Sequence, residues 1–240
     1  MSFILKDGSE VLDKRLDLLY EHDERNTQYP VAGLLQAGQK RPKDRKWRVA
    51  TALDQGTEGA CVGMAITHDL LAEPLKVKTP HEYDVSWAKE LYWEAQKLDQ
   101  WPGGSYPGAD PFYEGTSILA GMKAIHKKGY ITEYRWANTE PELANGVSHL
   151  GPAIIGVSWY EGMADPGPGN FIKPTGEITG GHAVLVSGIS YDGDYYIIWN
   201  SWGKSWGKNG RGYLKRAHMK KLLSEEHGQA VIPIKRHASV

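Results

Sequence analysis

Residues 182–200 read HAVLVSGISYDGDYYIIWN, two apolar runs separated by an Asp-Gly pair at positions 192 and 193. An Asp-Gly pair between apolar runs is a strong signal for a β-hairpin. The stretch therefore predicts one strand from His182 to Ile189 and a second strand from Tyr195 to Asn200, joined by a tight turn.

Upstream of this hairpin the chain changes from strand to helix patterns. Residues 153–159 are a continuous apolar run typical of a buried strand. Apolar spacing and cap signals predict helices over Cys61–Glu73, Ser86–Leu98 (N-cap Ser86) and Thr116–Lys128 (N-cap Thr116), a short helix opened by Thr139, and an amphipathic helix over Val11–Leu19. Helices followed by strands predict an α+β fold with segregated halves.

Composition excludes several classes of function. The 240 residues carry a formal net charge of -1, so no strong field favours nucleic acid or an anionic membrane as a partner. No apolar run approaches the roughly 18 residues of a membrane span. The chain has one cysteine, which forbids an intramolecular disulfide, and its first residues lack the features of a signal peptide. We therefore predict a cytoplasmic protein, a monomer by default.

Cys61 is a candidate nucleophile because of its position. It lies in the first turn of a predicted helix, directly after a loop with two glycines. The unpaired N–H groups and the positive end of the helix dipole stabilise a thiolate there. A thiolate is the form of cysteine that attacks carbonyl carbon.

His182 is the candidate base for Cys61. It follows two glycines and opens an apolar strand, which suggests a polar ring at the mouth of a cleft. Asn200 falls within a few residues of the position opposite His182 in the hairpin, where its side-chain oxygen would fix the imidazole tautomer. His68 lies two helical turns beyond Cys61, so we predict a surface position for it.

Gln55 precedes Cys61 by six residues, and its amide would hold an oxyanion together with the Cys61 N–H. Trp202 would shield the His182–Asn200 hydrogen bond from water. The sequence contains no His-Glu-x-x-His, no paired-cysteine zinc spacing and no phosphate-binding glycine loop. We therefore predict neither a metal nor a cofactor.

Three segments resemble the motifs of papain-like cysteine peptidases (clan CA, C1 family). Residues 55–61, QGTEGAC, are similar to the segment around the family's nucleophile, and residues 181–184, GHAV, to its histidine motif. Residues 200–213, NSWGKSWGKNGRGY, resemble the family's Asn-Ser-Trp-Gly run almost throughout. His182 and Asn200 follow Cys61 by 121 and 139 residues, which is compatible with the family's spacing.

The resemblance implies a helical left lobe and a β-barrel right lobe with the active site in the cleft between them. The corresponding boundaries are an N-terminal extension over 1–45, a helical lobe over 46–145 and a barrel lobe over 146–240. It implies catalytic roles for Cys61, His182, Asn200 and Gln55, and an extended polypeptide as substrate. The resemblance also places Gly115 and Thr116 in a substrate-binding loop and Ile118 and Gly181 at a specificity pocket. With Trp202 these form the predicted substrate-binding set.

Three positions depart from the family's pattern. Glu58 replaces a structural cysteine, Val62 replaces a tryptophan after the nucleophile, and Thr116 replaces a glycine whose close approach to substrate is harder for a residue with a Cβ. The family's long inhibitory pro-segment has no counterpart here, because only about 45 residues precede the match. We hypothesise that they wrap the lobes or cover part of the cleft.

Two other functions compete with a peptidase. One is an amidase of the same clan that acts on bacterial cell-wall peptides. The other is a papain-like fold kept as a binding module, which would usually lack the nucleophile or the base. All four expected catalytic positions are filled here.

Overall fold

A computed structural model describes residues 2–36, 41–74 and 76–234. Residues 1, 37–40, 75 and 235–240, which belong to the three predicted domains, lie outside this description. The helices are α1 (Cys61–Leu70), α2 (Val85–Gln96), α3 (Ile118–Lys127), α4 (Glu140–His149) and α5 (Arg216–Lys220), which continues into a π-helix (Lys221–Glu225). Short 3-10 turns occupy Glu24–Gln28, Val31–Leu34, Pro80–Glu82, Glu161–Met163 and Pro168–Asn170.

The strands form one large sheet and two small pairs. They are β1 (Phe3–Ile4), β2 (Glu10–Val11), β3 (Leu18–Leu19), β4 (Arg45–Lys46), β5 (Thr116–Ser117), β6 (Glu133–Trp136), β7 (Ala153–Tyr160), β8 (Phe171–Ile172), β9 (Ile178–Ser190), β10 (Tyr195–Trp199), β11 (Arg211–Lys215) and β12 (Gln229–Ile234). The large sheet has the order β6-β12-β7-β9-β10-β11-β8, and β4 also pairs with β9. Only β11 and β8 run parallel within it. The predicted hairpin is confirmed as β9 and β10, paired antiparallel.

The four longer helices lie where the sequence predicts them, although two begin at other caps. Asp84 caps α2 by accepting a hydrogen bond from the Trp87 N–H, and Ser117 caps α3 by accepting from the Ala120 N–H. Each cap lies one or two residues from the predicted one, because several neighbouring residues have suitable side chains. Helices before strands confirm the α+β class.

Helix α1 is the centre of the molecule. Every residue of α1 is buried, between α2 on one side and β9 on the other. Its apolar side chains join one cluster with those of α3, β7 and β9. This arrangement fixes the first residue of α1, Cys61, at the junction of the helical part and the sheet. Among the described residues, no helix is both long and apolar enough to cross a bilayer.

The predicted helix over Val11–Leu19 is wrong. The segment begins in β2, turns over residues 12–15, where the Leu16 N–H donates to the Asp13 carbonyl over 3.0 Å, and ends in β3. Leu16 enters the cluster beneath the sheet, and Leu18 enters the cluster around α1. Backbone pairing of β3 with β5 outweighs the local helical spacing of the leucines.

The crossing of α1 and α2 predicts a sensitive glycine. A Cβ on Gly63 would lie 2.1 Å from the Ala88 carbonyl oxygen, so the helices would have to separate. We expect Gly63→Ala to lower the free energy of unfolding by about 1–3 kcal/mol, measured by urea denaturation. Gly33→Ala is the control, because no atom lies within 4 Å of its Cβ. Equal midpoints of urea denaturation for Gly63→Ala and Gly33→Ala would contradict this close packing of α1 against α2.

Candidate active site

The loop before α1 sets the position of Cys61. Gly56 turns the chain with a φ of 64°, and the helix then begins after Ala60, whose side chain makes no capping hydrogen bond. The N–H groups of the first turn therefore remain available to a charge at the helix N-terminus. Cys61 itself is fully buried and lies close to the Ala183 backbone N–H on β9.

His182 directly precedes Ala183, whose backbone N–H lies close to Cys61, and its side chain pairs with Asn200. His182 Nε2 is 2.8 Å from Asn200 Oδ1, and both side chains are buried. The Ser201 backbone N–H donates to the same Oδ1, also over 2.8 Å, which fixes the amide with its oxygen toward the ring. The neutral imidazole must therefore carry its proton on Nε2. Its Nδ1 makes no hydrogen bond of standard geometry among the described residues, although the Arg15 backbone approaches the ring, so this atom is the one available to accept a proton.

Gln55 is held at the site by the loop that carries Asn200. Its backbone N–H donates to the Ser201 carbonyl over 2.9 Å, and its Oε1 accepts from Ser201 Oγ over 2.6 Å. Its Nε2 donates to the Glu58 carbonyl over 2.8 Å and, over a longer 3.4 Å, to the Arg15 carbonyl. The amide donor thus faces a backbone carbonyl that comes from the N-terminal segment.

Two tryptophans enclose the imidazole. The ring centroids of Trp202 and His182 are 5.2 Å apart, and those of Trp159 and His182 are 4.7 Å apart. The two indoles also contact each other at 5.6 Å. Trp202 thus lies where the sequence places it, beside the His182–Asn200 pair. Trp159, which ends the predicted strand, has no sequence signal for this role.

Residues 13–19, which we call the N-terminal strap, run through the cleft between these groups. The Arg15 guanidinium lies over the Trp202 ring at 4.3 Å, and its carbonyl faces Gln55. Asp17 is fully buried, and its backbone bridges to Gly181. Burial raises the pKa of its carboxyl to about 6, although the nearby Cys61 thiol and Cys61 N–H act to lower it. The leucine that follows packs in the apolar cluster that also contains Cys61.

The predicted substrate-binding residues all lie along the strap. Thr116 belongs to β5, which pairs with the strap, and its N–H reaches the Asp17 carbonyl at 3.3 Å. Ile118 shares the apolar cluster with Leu18. Gly115 and Gly181 have no room for a Cβ: added atoms would lie 3.0 Å from the Leu19 side chain and 2.7 Å from the Leu18 carbonyl oxygen. The structure thus brings these residues together around one extended segment.

Thr116 does not obstruct this segment, contrary to expectation. Its hydroxyl donates to Asp99 Oδ2 over 2.8 Å, and the side chain is fully buried. Asp99 in turn pairs with Lys6 at 2.8 Å. The Cβ of Thr116 is therefore accommodated by a buried polar network, while its backbone remains free to pair with the strap.

Burial keeps the cysteine and the histidine uncharged in this arrangement. Burial, reinforced by the negative charge of Asp17, raises the pKa of the Cys61 thiol well above its usual value. Burial also lowers the pKa of His182 to about 4, although Asn200 favours the protonated ring. The helix N-terminus favours a thiolate, but desolvation and the neighbouring carboxyl outweigh it. With the strap in place, the pair is therefore a thiol and a neutral imidazole.

Two residues were missed by the sequence reasoning: Asp17, and Tyr92 on α2, whose hydroxyl accepts from the Gly115 N–H over 2.8 Å. His68 was assigned incorrectly. One signal for Asp17 was present: it is the single charged residue within Leu16-Asp17-Leu18-Leu19. Tyr92 on α2 gave no signal. His68 is buried, not at the surface, and its Nε2 accepts from the Leu53 N–H over 3.0 Å. This bond ties α1 to the loop that carries Gln55.

Glu58 takes a structural role at the position where the family motif has a cysteine. Its carboxylate lies 2.9 Å from Lys89 Nζ on α2, while its carbonyl accepts from Gln55. An ion pair thus joins the nucleophile loop to α2. Within the described part of the chain, no three acidic, histidine or cysteine side chains form a group that would hold a metal ion.

Comparison with known proteins places this geometry in a family. A sequence model described as papain family cysteine protease matches residues 103–233, more than half of the chain. The chain belongs to the papain family of cysteine proteases. Among curated relatives, human cathepsin O is 27% identical over 139 residues, covering 55% of this chain and 39% of that protein. Cathepsin B-like cysteine proteinase 3 of Ostertagia ostertagi is 33% identical over 119 residues, covering 43% of this chain and 68% of that protein.

Solved structures of papain-family proteases share the fold. Xylellain, a cysteine protease from Xylella fastidiosa, superposes with a TM-score of 0.56 at 17% identity, covering 98% of this chain and 96% of that one. Digestive procathepsin L2 from Tenebrio molitor gives a TM-score of 0.60 at 18% identity, covering 92% and 79% of the two chains. The predicted papain-like α+β fold is confirmed. The chain spans about two fifths of the length of human cathepsin O.

Proposed function

We propose that this papain-family protein is a cysteine peptidase that hydrolyses peptide bonds through Cys61, His182 and Asn200. The observation that carries the proposal is the 2.8 Å contact between His182 Nε2 and Asn200 Oδ1, which leaves Nδ1 as the ring nitrogen that would accept the Cys61 proton. Membership of the family supports the chemistry. The family match does not identify which residues act, and these roles rest on the geometry.

The first step transfers the Cys61 proton to His182 Nδ1. The sulfur attacks the carbonyl carbon of the scissile peptide bond, forming an S–C bond and placing negative charge on the oxygen. As the C–N bond breaks, His182 returns its proton to the departing amine. Water then hydrolyses the thioester, with His182 as the base, and the thiol is restored.

Two donors would stabilise the oxyanion. The Cys61 backbone N–H lies at the N-terminus of α1, where it has no intrahelical acceptor. Gln55 Nε2 faces the Arg15 carbonyl of the strap. A substrate oxygen in the place of that carbonyl would accept a hydrogen bond from the same amide. Removal of one such donor typically raises the barrier by about 3 kcal/mol.

The substrate enters as an extended chain. The backbone of β5 pairs with β3, an extended segment, and Ile118 helps to form an apolar site for the Leu18 side chain. A polypeptide with an apolar residue near the scissile bond fits these features. The cytoplasmic location and the monomeric state remain predictions.

Substrate class separates this proposal from its two competitors. We would incubate the full chain with a denatured protein and, separately, with bacterial cell-wall peptides, between pH 5 and pH 8, and identify products by mass. New peptide termini in the denatured protein support the peptidase. Products from cell-wall peptides alone would replace it by an amidase. Binding of peptides without any cleavage over this range would replace it by a binding module.

A further inference from the structure

Glu114 places a carboxylate on the wall of the cleft, directly before Gly115. Its side chain is largely buried. Among the described residues, Lys14 alone forms an ion pair with this carboxylate, and the contact is long, at 4.0 Å. Lys14 belongs to the strap, so within the described part of the chain the wall itself supplies no cation for Glu114.

The surroundings of Glu114 make an unpaired negative charge unfavourable. Burial raises the pKa of its carboxyl from 4.5 to about 7, and the charge of Asp17 adds to the rise. Lys14 opposes this rise, whereas Glu58 adds to it again. A largely buried carboxylate is stabilised by a cation more strongly than an exposed one is. A basic group in the place of Lys14 therefore gains a stronger interaction than it would at a surface acid.

A pocket of about 300 Å³ lies beside this carboxylate. Trp93 and Phe112 give it aromatic walls, and the Phe112 ring is largely exposed. The cation that lines it from outside the strap, Lys89, is already paired with Glu58 at 2.9 Å. Without the strap, the charged side chains of the pocket are therefore two acids and one cation. Aromatic walls suit the aliphatic stem and the charged head of a basic side chain.

Hydrogen bonds on both sides hold Glu114 in place. Gln96 on α2 is buried, and its Nε2 donates to the Tyr113 carbonyl over 3.3 Å and to the Gly115 carbonyl over 3.1 Å. The Tyr92 hydroxyl accepts from the Gly115 N–H over 2.8 Å. A carboxylate on a backbone fixed in this way needs little reorganisation to bind a ligand, which favours selectivity.

The pocket lies close to the nucleophile. Asp17 follows Lys14 by three residues, and its carboxyl lies near both the Cys61 thiol and the hydroxyl of Tyr92, which lines the pocket. Gly59, two residues before Cys61, also lines the pocket, and a Cβ on it would lie 2.8 Å from the Lys14 carbonyl oxygen. A side chain in the place of Lys14 therefore belongs to a residue within about three positions of the scissile bond.

We propose that Glu114 is a specificity-determining residue that selects a lysine or an arginine of the substrate within about three residues of the scissile bond. The charged head of that side chain takes the place of Lys14, and its aliphatic stem lies against Trp93 and Phe112. The choice of the bond that is cut rests on the proposed peptidase function, whereas binding of a basic peptide does not.

Equilibrium binding tests the pocket without any chemistry. The probes are fluorescein-labelled peptides with one leucine for the apolar site and, at each position within three residues of it in turn, either lysine or norleucine. Norleucine keeps the aliphatic stem and lacks the ammonium. The peptides are titrated into Cys61→Ala protein at pH 8, where the Glu114 carboxyl is ionised.

One lysine peptide should bind about tenfold more tightly than its norleucine partner, the size expected for one charge-assisted hydrogen bond. Competition from the strap lowers both affinities by the same factor, so their ratio is unaffected. The other pairs should bind equally, because their basic residue does not reach Glu114.

Charge variants of Glu114 test the residue itself. Glu114→Gln keeps the shape of the side chain without its charge, and the tenfold difference should vanish. Glu114→Lys should reverse the preference, so that a glutamate peptide binds more tightly than the norleucine one. Glu90→Gln is the matched control, because this acid on α2 is exposed, and it should keep the full preference. Circular dichroism checks that each variant is folded.

The same peptides separate binding from catalysis in the active enzyme. Glu114 does not touch the reacting atoms, so lysine in place of norleucine should lower KM about tenfold and leave kcat within about twofold. In a denatured protein digested by the wild type, lysine or arginine should be enriched at the same position relative to the bonds that are cut.

The outcomes keep the pocket apart from the peptidase. If every lysine and norleucine pair binds Cys61→Ala protein equally, or if neither member of any pair binds, the pocket is wrong. If Glu114→Gln retains the preference for lysine, the role of Glu114 is wrong. If the preference depends on Glu114 but the wild type cleaves no peptide, the pocket stands and the peptidase proposal fails.

Discussion

Replacing Cys61 by alanine is expected to abolish peptide hydrolysis, a loss on the order of 10⁵-fold or more, because no other group can form the acyl-enzyme. Cys61 is the only cysteine in the chain, so no neighbouring thiol can substitute for it. The measurement is release of new amino termini from a denatured protein at the pH where the wild type is fastest.

The fold of this variant should persist. The substitution removes one buried sulfur and leaves a small cavity at the start of α1, so we expect a change of about 1 kcal/mol or less in the free energy of unfolding. Ser224→Ala, at an exposed position, is the control and should keep full activity. Hydrolysis by a folded Cys61→Ala protein above one part in a thousand would exclude Cys61 as the nucleophile.

His182→Ala is expected to lower turnover by about 10³- to 10⁵-fold, because the thiol would lose its proton acceptor and the leaving amine its proton donor. The pH dependence distinguishes this role from a structural one. Without the imidazole, and with the strap displaced, the rate of Cys61 alkylation should follow the ionisation of an isolated thiol. Little reaction is then expected below about pH 7.

The comparison uses Gly59→Ala as the background, because a Cβ at this position would lie 2.7 Å from Asp17 Oδ2 and should displace the strap, so that strap closure does not limit the reaction. In that background the intact His182 should support alkylation at mildly acidic pH, and the added His182→Ala change should remove it. His126→Ala on α3 is the histidine control, since this side chain is exposed. Identical pH profiles with and without His182 would exclude it as the partner of Cys61.

The elements that carry the candidate catalytic residues could be predicted from the sequence because their signals are local. The hairpin follows from the Asp-Gly turn, and the turn residues bring Asn200 to His182. Helix α1 follows from apolar spacing after a glycine loop. These features depend on backbone preferences over fewer than twenty residues, which pattern reasoning can resolve.

The strap was not predicted as an extended segment because its conformation depends on distant partners. Leu12, Leu16 and Leu19 have the spacing of a helix face, yet Leu16 and Leu19 enter two different clusters. Tyr92 likewise reaches the site from α2, through the contact of its hydroxyl with the Gly115 N–H. Contacts between residues so far apart in the chain leave no local pattern.

Both flanks of the strap are attached to the helical part of the molecule. On the upstream side, Lys6 Nζ donates to the Gln96 carbonyl and pairs with Asp99, each at 2.8 Å. On the downstream side, Glu21 accepts from Ser117 Oγ at 2.5 Å and pairs with Lys123 at 3.0 Å. A strap that lifts from the cleft therefore remains tethered at both ends.

Because the strap belongs to the same chain as the cleft, it returns by a first-order process. Its rate does not depend on the concentration of the protein. Its effective concentration at the cleft is of the order of millimolar, as for short flexible linkers. An external peptide must compete with that concentration, so weak substrates are excluded and only those that bind tightly along β5 displace the strap. Opening and closing of the cleft by the strap would therefore be reversible, because neither step requires a bond to be cut.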